Sequence, residues 1–76
     1  MPNALEENRD DAEGHVLLGL IRVAAGEDKQ AEDCFTRAVY LAPDHREALV
    51  HLALLVERRG DENRAQVLKR RLDRAS

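Results

Sequence analysis

The chain has 76 residues, a formal net charge of −3 at pH 7, 36% charged residues and only two aromatic side chains. This length suits one small domain, which buries little apolar core by itself. The start, MPNALEEN, lacks a basic leader and an apolar run, and Arg22 interrupts the longest apolar stretch, so we expect a cytoplasmic protein without membrane insertion.

The first predicted helix covers residues 12–25 and follows a polar, acidic segment, residues 1–11. That segment is a tail or the remnant of a preceding helix, with Asp10 or Asp11 as the expected N-cap of the first helix. The first helix is apolar on nearly all sides, which predicts neighbours on every side. Gly26 can adopt the left-handed conformation that ends it.

The second predicted helix covers residues 28–41 and begins among acidic residues that suit the helix dipole. Ala31, Phe35 and Ala38 recur at helical spacing along one face. Phe35 would fill the gap left where small residues let the first two helices approach closely. Pro43 lacks the amide hydrogen that a continuing helix needs.

The third predicted helix covers residues 46–59, with Asp44 as its expected N-cap in an Asp-led variant of the capping box. Gly60 ends this helix. The fourth covers residues 62–74 and has Ala65, Leu68 and Leu72 as its apolar stripe. The rest of its surface is charged, as expected of a terminal capping helix.

The two halves of the chain repeat at an offset of 34 residues. The matching pairs are Val16 and Val50, Leu18 and Leu52, Gly19 and Ala53, Leu20 and Leu54, Ile21 and Leu55, Gly26 and Gly60, and Ala31 and Ala65. A helix-turn-helix unit of about 34 residues resembles the tetratricopeptide repeat. The resemblance implies an all-α fold in which repeats 12–45 and 46–76 stack as two hairpins in a short right-handed superhelix.

No residue pattern indicates a catalytic, cofactor-binding or metal site. His15, His45 and His51 lie on different helix faces at spacings that fit no metal motif. Cys34 cannot form an internal disulfide, and we expect a half-buried structural thiol. The basic segment 69–74 is interrupted by Asp73 and has no aromatic side chains for stacking bases, so nucleic acid is not an expected partner.

The surplus apolar residues of the first and third helices indicate a protein-binding face. Packing within the hairpins is expected to use Leu18, Ile21, Leu52 and Leu55, which leaves other apolar side chains for the concave face of the stack. The predicted binding residues are Val16, Leu20, Val23, Val50, Leu54, Glu57 and Arg58. An amphipathic helix or apolar peptide would fit this face, and flanking helices or a second copy of the chain are the alternative occupants.

Charge is distributed unevenly along the chain. Residues 1–33 have a balance of −6, residues 34–56 a balance of zero, and residues 57–76 a balance of +3. This asymmetry suits self-association or an oriented partner. A self-associating adaptor without any link to enzymes is therefore one hypothesis, and solvated helix faces explain the same charges without a partner.

The segment from Tyr40 to Asp61, YLAPDHREALVHLALLVERRGD, supports a more specific resemblance. It is similar to the C-terminal repeat region of some bacterial CheR-type chemotaxis protein-glutamate methyltransferases. The resemblance implies a non-catalytic regulatory or targeting region, and it leaves the methyl-transferring domain with its S-adenosylmethionine site outside these residues. A receptor, another signalling protein or the catalytic domain of the same protein would then be the partner.

Overall fold

The computed structural model describes the backbone of residues 4–75 and the side chains of residues 9–74. The described chain forms four α-helices joined by short turns: α1 (Ala4–Ala24), α2 (Asp28–Leu41), α3 (Arg46–Arg58) and α4 (Glu62–Ala75). Helix α1 packs on α2 and α3 packs on α4, while α2 and α3 join the two pairs. The fold is therefore all-α, with two helix-turn-helix hairpins, as predicted.

The sequence predicted α2 with its observed bounds, and α3 and α4 to within one residue at their ends. The start of α1 was predicted wrongly, because the helix already begins at Ala4 and runs through residues 4–11 without a break. That segment contains no proline or glycine and several residues of high helix propensity, so nothing in it stops the helix. Residues 1–3 lie outside the described part of the chain.

The contact between Phe35 and Gly19 determines how the first hairpin packs. Phe35 is completely buried. A Cβ atom added at Gly19 would lie 2.5 Å from Cε1 of the Phe35 ring, so only glycine leaves room for the ring at this distance. The Phe35 ring also stacks on His51 of α3, with ring centroids 5.2 Å apart. One aromatic side chain thereby connects three helices.

The core runs as one cluster through both hairpins. In α3 it contains Leu49, Leu52, Leu55 and Val56, each at most 6% exposed. Helix α3 contacts α1, α2 and α4, whereas α1 contacts only α2 and α3. Helix α3 is therefore the central helix of the described fold.

Both hairpin turns depend on glycine. Gly26 has φ 77° and Gly60 has φ 94°, in the left-handed region that side chains with a Cβ rarely adopt. The amide of Glu27 bonds to the carbonyl of Arg22, and the amide of Asp61 bonds to that of Val56 in the equivalent way. The repeat in sequence thus gives the same turn twice.

The carboxylate of Glu32 holds the two hairpins together from the side of α2. It is only 13% exposed and contacts Arg59 at 3.1 Å and Arg64 at 3.2 Å. Asp28 adds a more exposed pair with Arg58 at 3.2 Å. Water screens the attraction between a partly buried carboxylate and its two guanidinium partners only weakly. Glu32 therefore contributes more stability than a carboxylate in an exposed ion pair does.

Gly19→Ala tests the close approach of α1 and α2. We expect the free energy of unfolding to fall by about 1–2 kcal/mol, since overpacking costs about 1–3 kcal/mol and the gain in helix propensity returns at most about 1. Urea denaturation followed by circular dichroism measures the change. The matched control is Gly14→Ala, where a Cβ meets nothing within 4 Å, and which should be neutral or stabilising. Equal effects of the two substitutions would contradict the packing argument.

Glu32→Gln tests the ion pairs between the hairpins. We expect a loss of about 1–2 kcal/mol of unfolding free energy, because two guanidinium groups lose their charged acceptor. Glu57→Gln serves as the control, since the Glu57–Lys69 pair is half-exposed on both sides and should be worth no more than about 0.5 kcal/mol. Thermal denaturation of the unchanged protein and the two variants in the same buffer makes the comparison. A larger loss of stability in Glu57→Gln than in Glu32→Gln would contradict the role given to Glu32.

Candidate protein-binding face

A groove separates the N-terminal half of α1 from the beginning of α3. Its volume is about 580 Å³. The residues that line it are Arg9, Glu13, Val16, Leu17, Asp44, His45, Arg46 and Glu47. The groove therefore has an apolar strip from α1 and charged walls from both helices, a composition that suits a peptide segment rather than a small apolar ligand.

The side chains around the groove have different degrees of exposure. Val16 is 2% exposed and belongs to the core, whereas Leu17 beside it is 62% exposed. Arg9 and Asp44 form an ion pair at 3.4 Å between α1 and the loop before α3, with both side chains about two-thirds exposed. Such an exposed pair contributes little stability, so a charged partner could replace it at little cost.

His45, rather than Asp44, is the N-cap of α3, which corrects the prediction. Its Nδ1 accepts a hydrogen bond from the backbone N–H of Ala48 at 3.3 Å. Asp44 lies one residue too early to reach that amide, so its carboxylate is left to pair with Arg9. In α4 the equivalent cap is Asp61, whose Oδ1 accepts from the N–H of Arg64 at 3.2 Å.

The apolar residues predicted to form the binding face separate into two groups. Leu20 and Leu54 are 37% and 53% exposed on α1 and α3. Val16 is buried, and Val23 and Val50 are half-buried, so these three valines serve mainly as packing residues. The exposed apolar part of the predicted face is thus smaller than expected and centres on the two leucines.

The two charged residues predicted for this face are both exposed and both paired. Glu57 contacts Lys69 of α4 at 3.0 Å, and Arg58 contacts Asp28 of α2 at 3.2 Å. Each pair is about half-exposed, so either side chain can change partners without a large loss of stability.

Leu18 and Ile21 were expected to pack within the first hairpin, and the structure corrects this. They are 40% and 64% exposed. The helix instead buries Ala12, Val16 and Gly19, because the Phe35 ring of α2 fits only against the glycine. The exposed group Leu17, Leu18 and Ile21 was therefore missed by sequence reasoning. The only signal for it was that the first helix is apolar on more sides than one hairpin can cover.

The three histidines have structural positions. His15 is half-buried on α1, His45 caps α3, and His51 stacks on Phe35. Among the residues that the structure describes, no three or more metal-ligating side chains come together. Cys34 is a half-buried free thiol, as predicted. Within the same described residues, no helix has the length and apolarity needed to cross a membrane.

Two curated methyltransferases contain a region similar to this chain. The chain is 46% identical over 57 residues to the probable biofilm formation methyltransferase WspC of Pseudomonas aeruginosa. It is 39% identical over 71 residues to the protein of the same name from Pseudomonas putida. These matches take in 75% and 93% of this chain but only 14% and 17% of the relatives, so the similarity covers a small region of each enzyme.

No protein-family model matches the chain. No solved structure matches it.

Leu54→Glu and Leu52→Glu test the distinction between the face and the core. Leu54 is 53% exposed and Leu52 is 1% exposed on the same helix. We expect Leu54→Glu to keep its helicity and to change unfolding free energy by less than about 1 kcal/mol. Leu52→Glu should be largely unfolded, since an unpaired charge would be buried. Circular dichroism during heating compares them, and unfolding of both variants would mean that Leu54 belongs to the core.

Proposed function

We propose that this chain is a protein-binding region of a chemotaxis-like methyltransferase and has no catalytic role of its own. The observation that carries the proposal is the similarity to WspC, which involves most of this chain and only 14–17% of each relative. Such a region is too small a part of the enzyme to contain a methyl-transferring domain. It is more in keeping with a helical accessory region that positions the enzyme on another protein.

We further propose that the two hairpins are tetratricopeptide repeats. The 34-residue offset, the two equivalent glycine turns and the fit of Phe35 against Gly19 support this assignment. Repeats of this kind bind proteins through the surface of their first helices, which here are α1 and α3. The proposed binding face consists of Leu20, Leu54 and the groove between these two helices.

The chemistry of this face favours an amphipathic segment as the partner. Two exposed leucines would take apolar side chains of the partner. The groove wall contains Glu13 and Glu47 as well as Arg9 and Arg46, so it would pair with charged residues of both signs on the partner. The partner in the cell would be a chemoreceptor-like signalling protein or the catalytic domain of the same methyltransferase, with S-adenosylmethionine bound by that domain.

The first experiment establishes the size of the native protein that carries this segment. An immunoblot of the source cells with an antibody against the purified chain should give a band several times larger than 8.6 kDa. A band at the size of the chain would overturn the methyltransferase proposal. In that case a self-associating adaptor would become the leading function.

The second experiment measures methyl transfer by the full-length protein to the cytoplasmic fragment of a chemoreceptor from the same cells. In the variant Leu20→Glu/Leu54→Glu we expect KM for the receptor to rise at least about tenfold, because a charged face no longer accepts apolar side chains, while kcat changes little. The control is Val67→Glu, which replaces a 53% exposed apolar residue on α4. An unchanged KM in the double variant would contradict the proposed receptor-binding face.

A further inference from the structure

Helix α3 begins at an uncommon cap, because the side chain that accepts a hydrogen bond from its first turn is a histidine. Nδ1 of His45 accepts from the backbone N–H of Ala48 at 3.3 Å, and the carbonyl of His45 accepts from the N–H of Leu49 at 3.1 Å. Serine, threonine, aspartate and asparagine are the usual residues at this position. Asp44 directly precedes His45, but its carboxylate pairs with Arg9. The cap of α3 therefore belongs to the residue type that changes its charge between about pH 5 and 8.

The hydrogen bond from Ala48 requires an unprotonated Nδ1. An imidazole accepts a hydrogen bond only at a nitrogen that carries no proton, and both nitrogens of the imidazolium ring are donors. A protonated His45 would also place a positive charge at the N-terminus of α3, where the helix dipole favours negative charge. Uptake of a proton at Nδ1 and capping of Ala48 therefore exclude each other.

Burial makes the loss of this cap costly and confines its effect to one turn. Ala48 is completely buried, so its amide would lack any acceptor unless the first turn of α3 opens to water. Leu49 is completely buried as well and anchors the helix from that point on. The opening is thus limited to residues 45–47. Arg46 and Glu47 of this turn are exposed and line the groove between α1 and α3.

The charges around His45 come from α1, α3, α4 and the loop before α3. Lining the same groove are Arg9, Glu13, Asp44, Arg46 and Glu47. From α4, Arg71 donates to the carbonyl of Pro43 at 3.1 Å, while residues 38–41 at the end of α2 have no charged side chain. An imidazolium that has left Ala48 therefore finds carboxylates in the groove with which it can pair. Both protonation states of His45 have partners of their own.

We propose that His45 is a pH-sensitive cap that controls the α3 wall of the groove. As pH falls from about 7.5 to 5.5, the range in which imidazoles of proteins ordinarily take up a proton, His45 releases the amide of Ala48. Residues 45–47 then open and displace Arg46 and Glu47 from the groove. Acid favours the open form because only that form accepts the proton at Nδ1. Weaker binding of the receptor in acid is the consequence, and it rests on the proposed function.

Thermal denaturation of the chain at about pH 7.5 and 5.5 tests the cap. His45→Asn is the critical variant, since asparagine caps helices through an oxygen that does not titrate. Between the two pH values, we expect the melting temperature of the unchanged protein to fall by at least about 4 °C more than that of His45→Asn. His15→Gln removes a half-buried imidazole of α1 and should keep the pH dependence of the unchanged protein. Equal pH dependence in the unchanged protein and His45→Asn would overturn the proposal.

Hydrogen exchange of single amides, followed by NMR, locates the change in the unchanged protein and needs no variant. The protection factor of the Ala48 amide should fall at least about fivefold over the same pH range. The amide of Arg64 donates to the carboxylate of Asp61, and its protection should stay within about twofold, since carboxylates ordinarily take up a proton near pH 4. Constant protection of Ala48 would contradict the proposal. An equal fall at Arg64 would do so too, because it would indicate a global loss of stability.

Methyl transfer by the full-length protein separates this regulation from the proposed function. Over the same pH range, KM for the receptor fragment should rise at least about threefold more in the unchanged protein than in His45→Asn. The comparison removes the pH dependence of the catalytic domain, which both proteins share. An equal change of KM in both proteins would overturn the control of the groove. If Leu20→Glu/Leu54→Glu left KM unchanged, the proposed function would fail, and denaturation and hydrogen exchange would still decide the cap.

Discussion

The packing of the Phe35 ring against the backbone of Gly19 is the constraint on which the other features of this structure depend. The ring occupies the space that a side chain at Gly19 would need, so it fixes the rotation of α1 about its axis. That rotation buries Ala12 and Val16 and leaves Leu18 and Ile21 outside. Through its stacking on His51, the same ring also sets the position of α3 against the first hairpin.

The second hairpin has no equivalent of this contact, and it packs differently. Lys69 takes the place of Phe35 and Ala53 the place of Gly19, so no aromatic ring packs against a glycine in this hairpin. Apolar burial against α4 comes instead from Ala65 and Leu68. Ion pairs of Glu32 with Arg59 and Arg64 then hold the polar edges of the two hairpins together. The hairpins are alike in turn geometry and unlike in what fills the space between their helices.

Much of the fold could be predicted because its signals are local. Gly26 and Gly60 end helices through backbone freedom that depends on no distant contact, and both have positive φ. The bounds of α2 followed from acidic residues at its start and Pro43 after its end. The candidate site was less predictable. Leu20 and Leu54 are exposed as expected, but Val16 lies in the core, because helical periodicity alone does not say which of several apolar faces meets a neighbour.

The sequence by itself determined the all-α class, the four helices and the turns, since each of these depends on residue types at short spacing, and it determined the repeat through residues that match at an offset of 34. The tertiary structure decided which side of α1 is buried, that His45 rather than Asp44 caps α3, and that Leu17, Leu18 and Ile21 form an exposed face. The physical reason is that a helix apolar on most sides can rotate to satisfy several partners. Only the fit of one buried ring against one glycine selects among them.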